Sequence, residues 1–342
     1  MAVKLITRGA VKRLAALGVL MGSGLAICWW YMIRMPGSSY RRPLPTLTVD
    51  EALLAERLAR DVQILAGEIG VRNRYRRLAY ERAAQHIEAR LREAGLEPQR
   101  QPTPPGDPKL TPGNIWAEIR GTSEPDRIVV VGAHYDSYAD SPGANDNASG
   151  VAAVLSLADR LAGSSPGRTI RFCLFADEEP PYFQTEEMGS LVFAAWCRDR
   201  GETIEAMISL ETLGWYSDEP GTQKYPAALG AVYPSEGNFI GMVSDVRSRR
   251  LLYEVIGAFR ETTRFPSEGA ALPASLPGVS WSDHWAFWQT GVPALMVTDT
   301  APFRYPYYHT PEDTPDKVIP ERMARVVAGL DRVLRRLARV VE

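Results

Sequence analysis

Five apolar runs, each short enough for a strand, alternate along the chain with amphipathic stretches long enough for helices. The runs are NIWAEIRG (114–121), RIVVVGAHYD (127–136), IRFCLFADEE (170–179), AMISLETLG (206–214) and PALMVTDT (293–300). Between them lie ASGVAAVLSLADRLAG (148–163), GSLVFAAWCRDRG (189–201) and SRRLLYEVIGAFRETT (248–263), with apolar residues at helical spacing. Strands buried on both faces read as continuous apolar runs. The pattern therefore predicts an α/β fold, a mostly parallel central sheet flanked by helices on both sides. Two amphipathic helices precede the sheet, EALLAERLARDVQILAG (51–67) and RRLAYERAAQHIEARLREAG (76–95), the second ending at a natural C′ glycine, Gly95. A Pro-rich loop, 100–113, follows. The chain closes on a helix with one apolar stripe: Met323, Val326, Val327, Leu330, Val333, Leu334, Leu337 and Val341. Its Arg-rich opposite face reads as solvated.

A different texture stands at the N-terminus. Leu14 to Ile33 holds twenty residues without a charge. That is about the length of helix that crosses a hydrocarbon core of ~30 Å. Lys4, Arg8, Lys12 and Arg13 precede the run, and Trp29, Trp30 and Tyr31 sit at its far end, where amphipathic rings favour a membrane interface. Bulky WWYMIR stands where a cleaved leader would carry small residues, so the run reads as an uncleaved anchor. The basic bias puts the N-terminus in the cytoplasm and the bulk of the chain outside it, periplasmic or extracellular. The expected organisation is a short basic tail (1–13), a transmembrane helix (14–33), a Pro- and Ser-containing linker (34–50) and one domain (51–342).

Composition narrows the chemistry. Lys plus Arg number 39 and Asp plus Glu 41, a net charge of −2, so there is no bulk electrostatic case for nucleic acid. Three Cys build neither a disulfide scaffold nor a Cys-rich zinc module. With four His, any metal site has to be rich in carboxylates. In open α/β sheets, ligands bind beyond the carboxyl ends of the strands. There the sequence places His134, Tyr135 and Asp136; then Asp177, Glu178 and Glu179; then Glu211; and, after the last strand, Tyr308, His309 and Thr310. The loop SPGANDNASG adds Asp146 just before a helix. Any one of these alone reads as a solvated strand end. Gathered at one edge, the carboxylates repel unless a cation neutralises them. Two His and three carboxylates without thiolate suit Zn²⁺ or a similar divalent ion, and one shared carboxylate makes a two-metal site. A further carboxylate is then needed as general base, and the adjacent pair Glu178–Glu179 supplies one.

GAHYDS (132–137), SPGANDNASGVAAVL (141–155), FADEE (175–179) and YYHTPEDT (307–314) resemble the co-catalytic zinc exopeptidases of metallopeptidase family 28, over about residues 51–340. The resemblance implies the zinc-exopeptidase α/β/α sandwich and two zinc ions. His134 and Glu211 would hold one ion, Glu179 and His309 the other, and Asp146 would bridge them. Glu178 would be the general base, moving a proton from the attacking water to the leaving amine. Asp136 would orient His134, and a cis peptide would follow the bridging Asp, at Asp146–Asn147. Glu211 stands where many relatives carry Asp, and a rival acidic pair, Glu186–Glu187, follows in PPYFQTEEMGS. From the segment WSDHWAF, Asp283 is expected beside the metal site and His284 in a supporting or structural role. Tyr308 is a candidate substrate contact.

Of the remaining candidates, His86 reads as a surface or satisfied core histidine, and Cys173 and Cys197 as free buried thiols. The sequon Asn147-Ala148-Ser149 falls inside the metal loop and carries no weight. Tyr182, Phe183, Trp215, Tyr216, Phe303, Tyr305, Tyr307 and Tyr308 read equally as loop packing or as an apolar specificity pocket. The leading expectation is a membrane-anchored di-zinc aminopeptidase acting on peptides. The alternatives are a mono-zinc glutaminyl cyclase using Asp146, Glu179 and His309, a carboxypeptidase of the same family, and a receptor-like domain without metal.

Overall fold

A computed structural model describes residues 7–101 and 112–340. Val341 and most of the Pro-rich loop lie outside these residues. Helix α1 (Arg8–Ile33) is capped by the Thr7 hydroxyl and buries no residue. Among the described residues it is the one helix long and apolar enough to cross a membrane.

The irregular segment behind α1 is tethered to the domain. Met35 is buried in the main core, and the guanidinium of Arg260 donates to the Pro36 carbonyl at 2.9 Å. Helix α2 (Val49–Val62) opens on a reciprocal capping box between Thr48 and Glu51, as the pattern T-x-x-E dictates, and a π-helical turn (Gln63–Ile69) continues it. Helix α3 (Arg77–Glu93) closes at Gly95, whose φ of +77° suits a residue without Cβ.

The sheet contains β1 (Gln99–Gln101), β2 (Asn114–Ile119), β3 (Glu124–His134), β4 (Arg168–Phe175), β5 (Thr203–Glu211), β6 (Ile240–Asp245), β7 (Ser267–Leu272) and β8 (Ala294–Thr298). Their spatial order is β1-β2-β4-β3-β5-β8-β6-β7. The centre, β4-β3-β5-β8, is parallel throughout. Both flanks bring antiparallel pairings, β1 with β2, β2 with β4 and β6 with β8, so the sheet is mixed.

Residue alternation along β3 assigns its two faces. Val129, Val131 and Ala133 pack into the larger core with α2, α3, α4 (Gly150–Leu161), α6 (Arg249–Thr262) and α8 (Pro320–Leu337). Ile128 and Val130 face a second core with α5 (Gly189–Asp199) and α7 (His284–Gln289). The described part of the α8 stripe, Met323 to Leu337, is buried as its spacing predicts.

The sequence reading misses β1, β6 and β7; Arg100 and Gln101, expected in the Pro-rich loop, pair with β2 instead. Ser267–Leu272 reads SEGAAL, poor in β-branched and aromatic residues; its strand conformation is set by pairing with β6, a contact that no local pattern encodes.

Candidate metal centre

Because β4, β3, β5 and β8 run in one direction, their carboxyl ends share one edge of the sheet. His134 is the last residue of β3 and Glu211 the last of β5. Glu178 and Glu179 follow β4, and His309 lies in the loop beyond β8. Asp146 sits in the turn Ala144–Ser149 that leads into α4, and its peptide bond to Asn147 is cis, as the resemblance implies. Left-handed backbone recurs at this edge. Asp177, immediately before the glutamate pair, has φ 56°; Thr212, after Glu211, has φ 50°; His309 itself has φ 60°. Such conformations cost about 1–3 kcal/mol each and persist where their surroundings over-determine them.

Asp146 joins the two histidines. Its Oδ1 lies 3.2 Å from His134 Nε2 and its Oδ2 lies 3.1 Å from His309 Nε2. Each histidine has a second acid: Glu211 Oε2 is 3.3 Å from His134 Nε2, and Glu179 Oε2 is 3.2 Å from His309 Nε2. Two ligand atoms on one tetrahedral zinc, with bonds near 2.0–2.2 Å, stand about 3.3 Å apart. The spacings are therefore those of metal ligands, and the donor atoms of His134, Asp146 and Glu179 all lie within 4.8 Å of one another. Asp146 Oδ1, Glu179 Oε1 and His309 Nε2 are buried without a hydrogen-bond partner in the chain, as donor atoms reserved for a metal would be.

Electrostatics give the same indication. Burial drives the Glu178 carboxyl well above the ordinary range and also raises Glu211. Burial and the Asp146 charge push Glu179 up to about 8. Burial alone would lower both histidines. At His134 the charges of Glu211 and Glu178 outweigh it, and at His309 the adjacent carboxylates of Asp146 and Glu179 lift the ring to about 10. Buried acids in this number are compatible with ionisation only beside compensating positive charge.

A second ring of residues holds these groups. Asp136 Oδ1 lies 3.3 Å from His134 Nδ1, and its two oxygens accept the backbone N–H groups of Glu178 and Glu179, each at 3.1 Å. Asp283 is fully buried and close enough to His134, Glu211 and Asp136 to feel their charge; burial pushes it up to about 7. Tyr308 stacks on the His309 ring at 3.8 Å between centroids.

His284 is not brought to the centre. Its Nε2 lies 2.8 Å from the Val279 carbonyl and its ring packs edge-on against Trp288. The rival pair Glu186–Glu187 is exposed, with Glu187 bound to Arg74. His86 lies 3.0 Å from Asp61, and Cys173 and Cys197 are free and buried. Asn147, Ala148 and Ser149 are all buried, leaving no room for a glycan. Of the loop aromatics, Phe303 and Tyr308 line an apolar cavity, whereas Tyr216 packs on Phe265 in the core.

Three residues escape the sequence reading. Tyr138 stacks on the opposite face of His309 from a centroid distance of 4.0 Å. Ser282 donates to Glu211 Oε2 at 2.8 Å. Asp313 accepts the backbone N–H groups of Asn145 and Asp146 at 2.8 and 3.0 Å and so fixes the turn that presents Asp146. Ser282 and Asp313 do lie within the quoted segments WSDHWAF and YYHTPEDT, which was the available signal.

Comparison with known proteins adds a family match, two sequence relatives and two structural neighbours. The family model described as Peptidase family M28 matches residues 114–331, well over half of the chain. The uncharacterized protein YfbL of Escherichia coli (strain K12) is 38% identical over 226 residues, covering 64% of this chain and 68% of its own. A probable zinc metalloprotease of Leptosphaeria maculans is 28% identical over 204 residues, 54% of this chain and 46% of that protein, so the chain spans less than half of it. In fold, the chain is similar to the LapA aminopeptidase of Legionella pneumophila (TM-score 0.65, 17% identity, 88% of this chain and 78% of that one). It is similar also to a glutaminyl cyclase of Bacteroides thetaiotaomicron (TM-score 0.60, 16% identity, 82% and 96%). With a family model matched over residues 114–331, from β2 into the C-terminal helix, the chain belongs to peptidase family M28, a family of zinc peptidases.

Proposed function

We propose that this chain is a membrane-anchored zinc aminopeptidase with two ions, the catalytic domain lying outside the cytoplasm. His134, Glu211 and Asp146 would hold one ion; His309, Glu179 and Asp146 the other. The observation that carries this reading is the divided carboxylate of Asp146, one oxygen on each histidine. Bound zinc would activate water and polarise the scissile carbonyl.

The chain's own groups do the rest. Glu178 is buried beside His134, its Oε2 3.9 Å from Nε2, and takes the proton of the attacking water and returns it to the leaving amine. Asp136 positions both His134 and the backbone that carries Glu178. Tyr138 and Tyr308 clamp the His309 ring.

A panel of aminoacyl-anilides with N-blocked controls, with and without chelator, tests the reading. Chelator-sensitive cleavage of the free-amine substrates alone is expected, with about two zinc ions per chain. Turnover of blocked substrates would refute an aminopeptidase. One tight zinc with cyclisation of N-terminal glutamine would assign the chain to the cyclase activity instead.

A further inference from the structure

An apolar cavity leaves the metal centre on the Glu211 side and runs across the sheet. Glu211 of β5 and Tyr308 line its near end; Met296 of β8 and Val243 of β6 follow; Ala270 and Leu272 of β7 line the far end. Adjacent strands lie about 4.8 Å apart, so the three steps from β5 to β7 span roughly 14 Å. Counting the open solvent at its mouth, the space is about 810 Å³. An ordinary amino-acid side chain would fill only the near end.

The far end meets the last turn of α1. Met32 and Ile33 pack on the cluster of Leu229, Ala270, Leu272 and Val279, all four of which line the cavity. This junction is fixed by Arg249, whose Nε donates to the Tyr31 carbonyl at 2.6 Å and whose Nη2 donates to that of Arg34 at 3.2 Å. Trp29, Trp30 and Tyr31 are exposed on the same turns of helix, at the level where an anchored chain leaves the bilayer. On the other side of the centre a second cavity, reaching Glu179, brings the charged groups of Arg74, Asp136 and Asp177 beside Tyr138, Pro180 and Tyr182.

We propose that the substrate is an amphiphile. It carries an extended alkyl chain on one side of the scissile amide, held in the cavity between Glu211 and Leu272, and a polar portion on the other. Its chain enters at the α1 end, from the bilayer. This rests on the aminopeptidase reading for the chemistry, but the cavity makes a claim of its own about binding.

The test uses the full zinc-loaded chain in detergent micelles. Two free-amine series are compared across chain lengths from ethyl to dodecyl: anilides of 2-aminoalkanoic acids, with the chain on the acyl side, and alanine alkylamides, with the chain on the amine side. In one series kcat/KM should climb about threefold to fourfold per added methylene until the cavity is full, and the series that climbs identifies which side of the amide faces the cavity. Ala270→Phe and, independently, Leu229→Trp should bring the long-to-short ratio towards one. That ratio is insensitive to a general loss of folded protein. A dansyl-labelled dodecylamine should bind the wild type and be lost in both variants, a readout independent of turnover. Leucine anilide cleaved with no chain-length dependence in either series, and no binding of the dansyl probe, would overturn the amphiphile proposal and leave the peptidase reading standing. Probe binding without turnover of any substrate would overturn the peptidase reading and leave the cavity assignment standing.

Discussion

The Asp136 carboxylate accepts the backbone N–H of Glu178 at 3.1 Å. With its other oxygen it accepts that of Glu179, and it also abuts the imidazole of His134. A residue two positions beyond a strand end thus ties His134 on β3 to the paired glutamates after β4. Asp136→Asn keeps the size but turns one acceptor into a donor facing an N–H. Loss of such an outer partner typically costs about 10–100-fold in metal affinity or activity. Chelator competition and kcat/KM, measured on the same preparation, should both fall in that range. A variant with wild-type zinc affinity and turnover would remove Asp136 from its positioning role.

Glu178 and Asp146 should separate cleanly by substitution. Glu178→Gln leaves the donor atoms around the ions in place and removes the proton carrier, so about two zinc ions remain bound while kcat drops about 10²–10⁴-fold. Asp146→Asn removes the charge shared by the two histidines, so zinc content itself should fall. Atomic absorption beside an anilide assay distinguishes the two. An active Glu178→Gln enzyme would show that another group moves the proton.

How far the sequence reveals this architecture depends on how local each signal is. The apolar runs at Ile128–Val131 and Ile170–Phe175 are buried throughout, so composition alone reports the strands. The residues proposed as ligands are legible for the same reason, since each ends or directly follows an apolar run or falls in a distinctive loop. Strand β6 runs antiparallel to β8, and it breaks the parallel rule through a pairing formed between distant segments. Tyr138 and Asp313 are ordinary loop residues until the fold brings Tyr138 onto His309 and Asp313 onto a backbone 167 positions away. Their roles exist only in three dimensions.

Asp313 provides a direct check on that point. Its oxygens accept the N–H groups of Asn145 and Asp146, and Oδ1 also accepts the Tyr305 hydroxyl at 2.7 Å. In Asp313→Asn a buried N–H loses its acceptor, at a cost of about 1–3 kcal/mol. The Asp146 turn should loosen, so zinc affinity should decline together with the melting temperature. Asp313→Glu, which keeps the charge, should recover less affinity than charge alone would predict, because the longer arm displaces the turn. Zinc titration of the two variants checks this. Unchanged affinity in both would leave Asp313 a purely structural residue.

His284 predicts a pH dependence that arises away from the candidate metal centre. Burial lowers its pKa from 6.5 to about 4, opposed by the Val279 carbonyl and by the charge of Asp245. The folded chain keeps this ring neutral at pH values where the unfolded chain protonates it. Stability from this group is therefore complete above pH 6.5 and declines as the pH falls from 6.5 to about 4, below which both states carry the proton. A shift of that size corresponds to roughly 3 kcal/mol across the window. His284→Gln cannot titrate. It should be less stable than the wild type at pH 8, where a well-packed ring has been replaced, but its stability should change less between pH 6.5 and 4. Urea unfolding of the two proteins at half-unit pH intervals measures the difference in slope. Parallel curves through that window would show that His284 is not the group that titrates on unfolding.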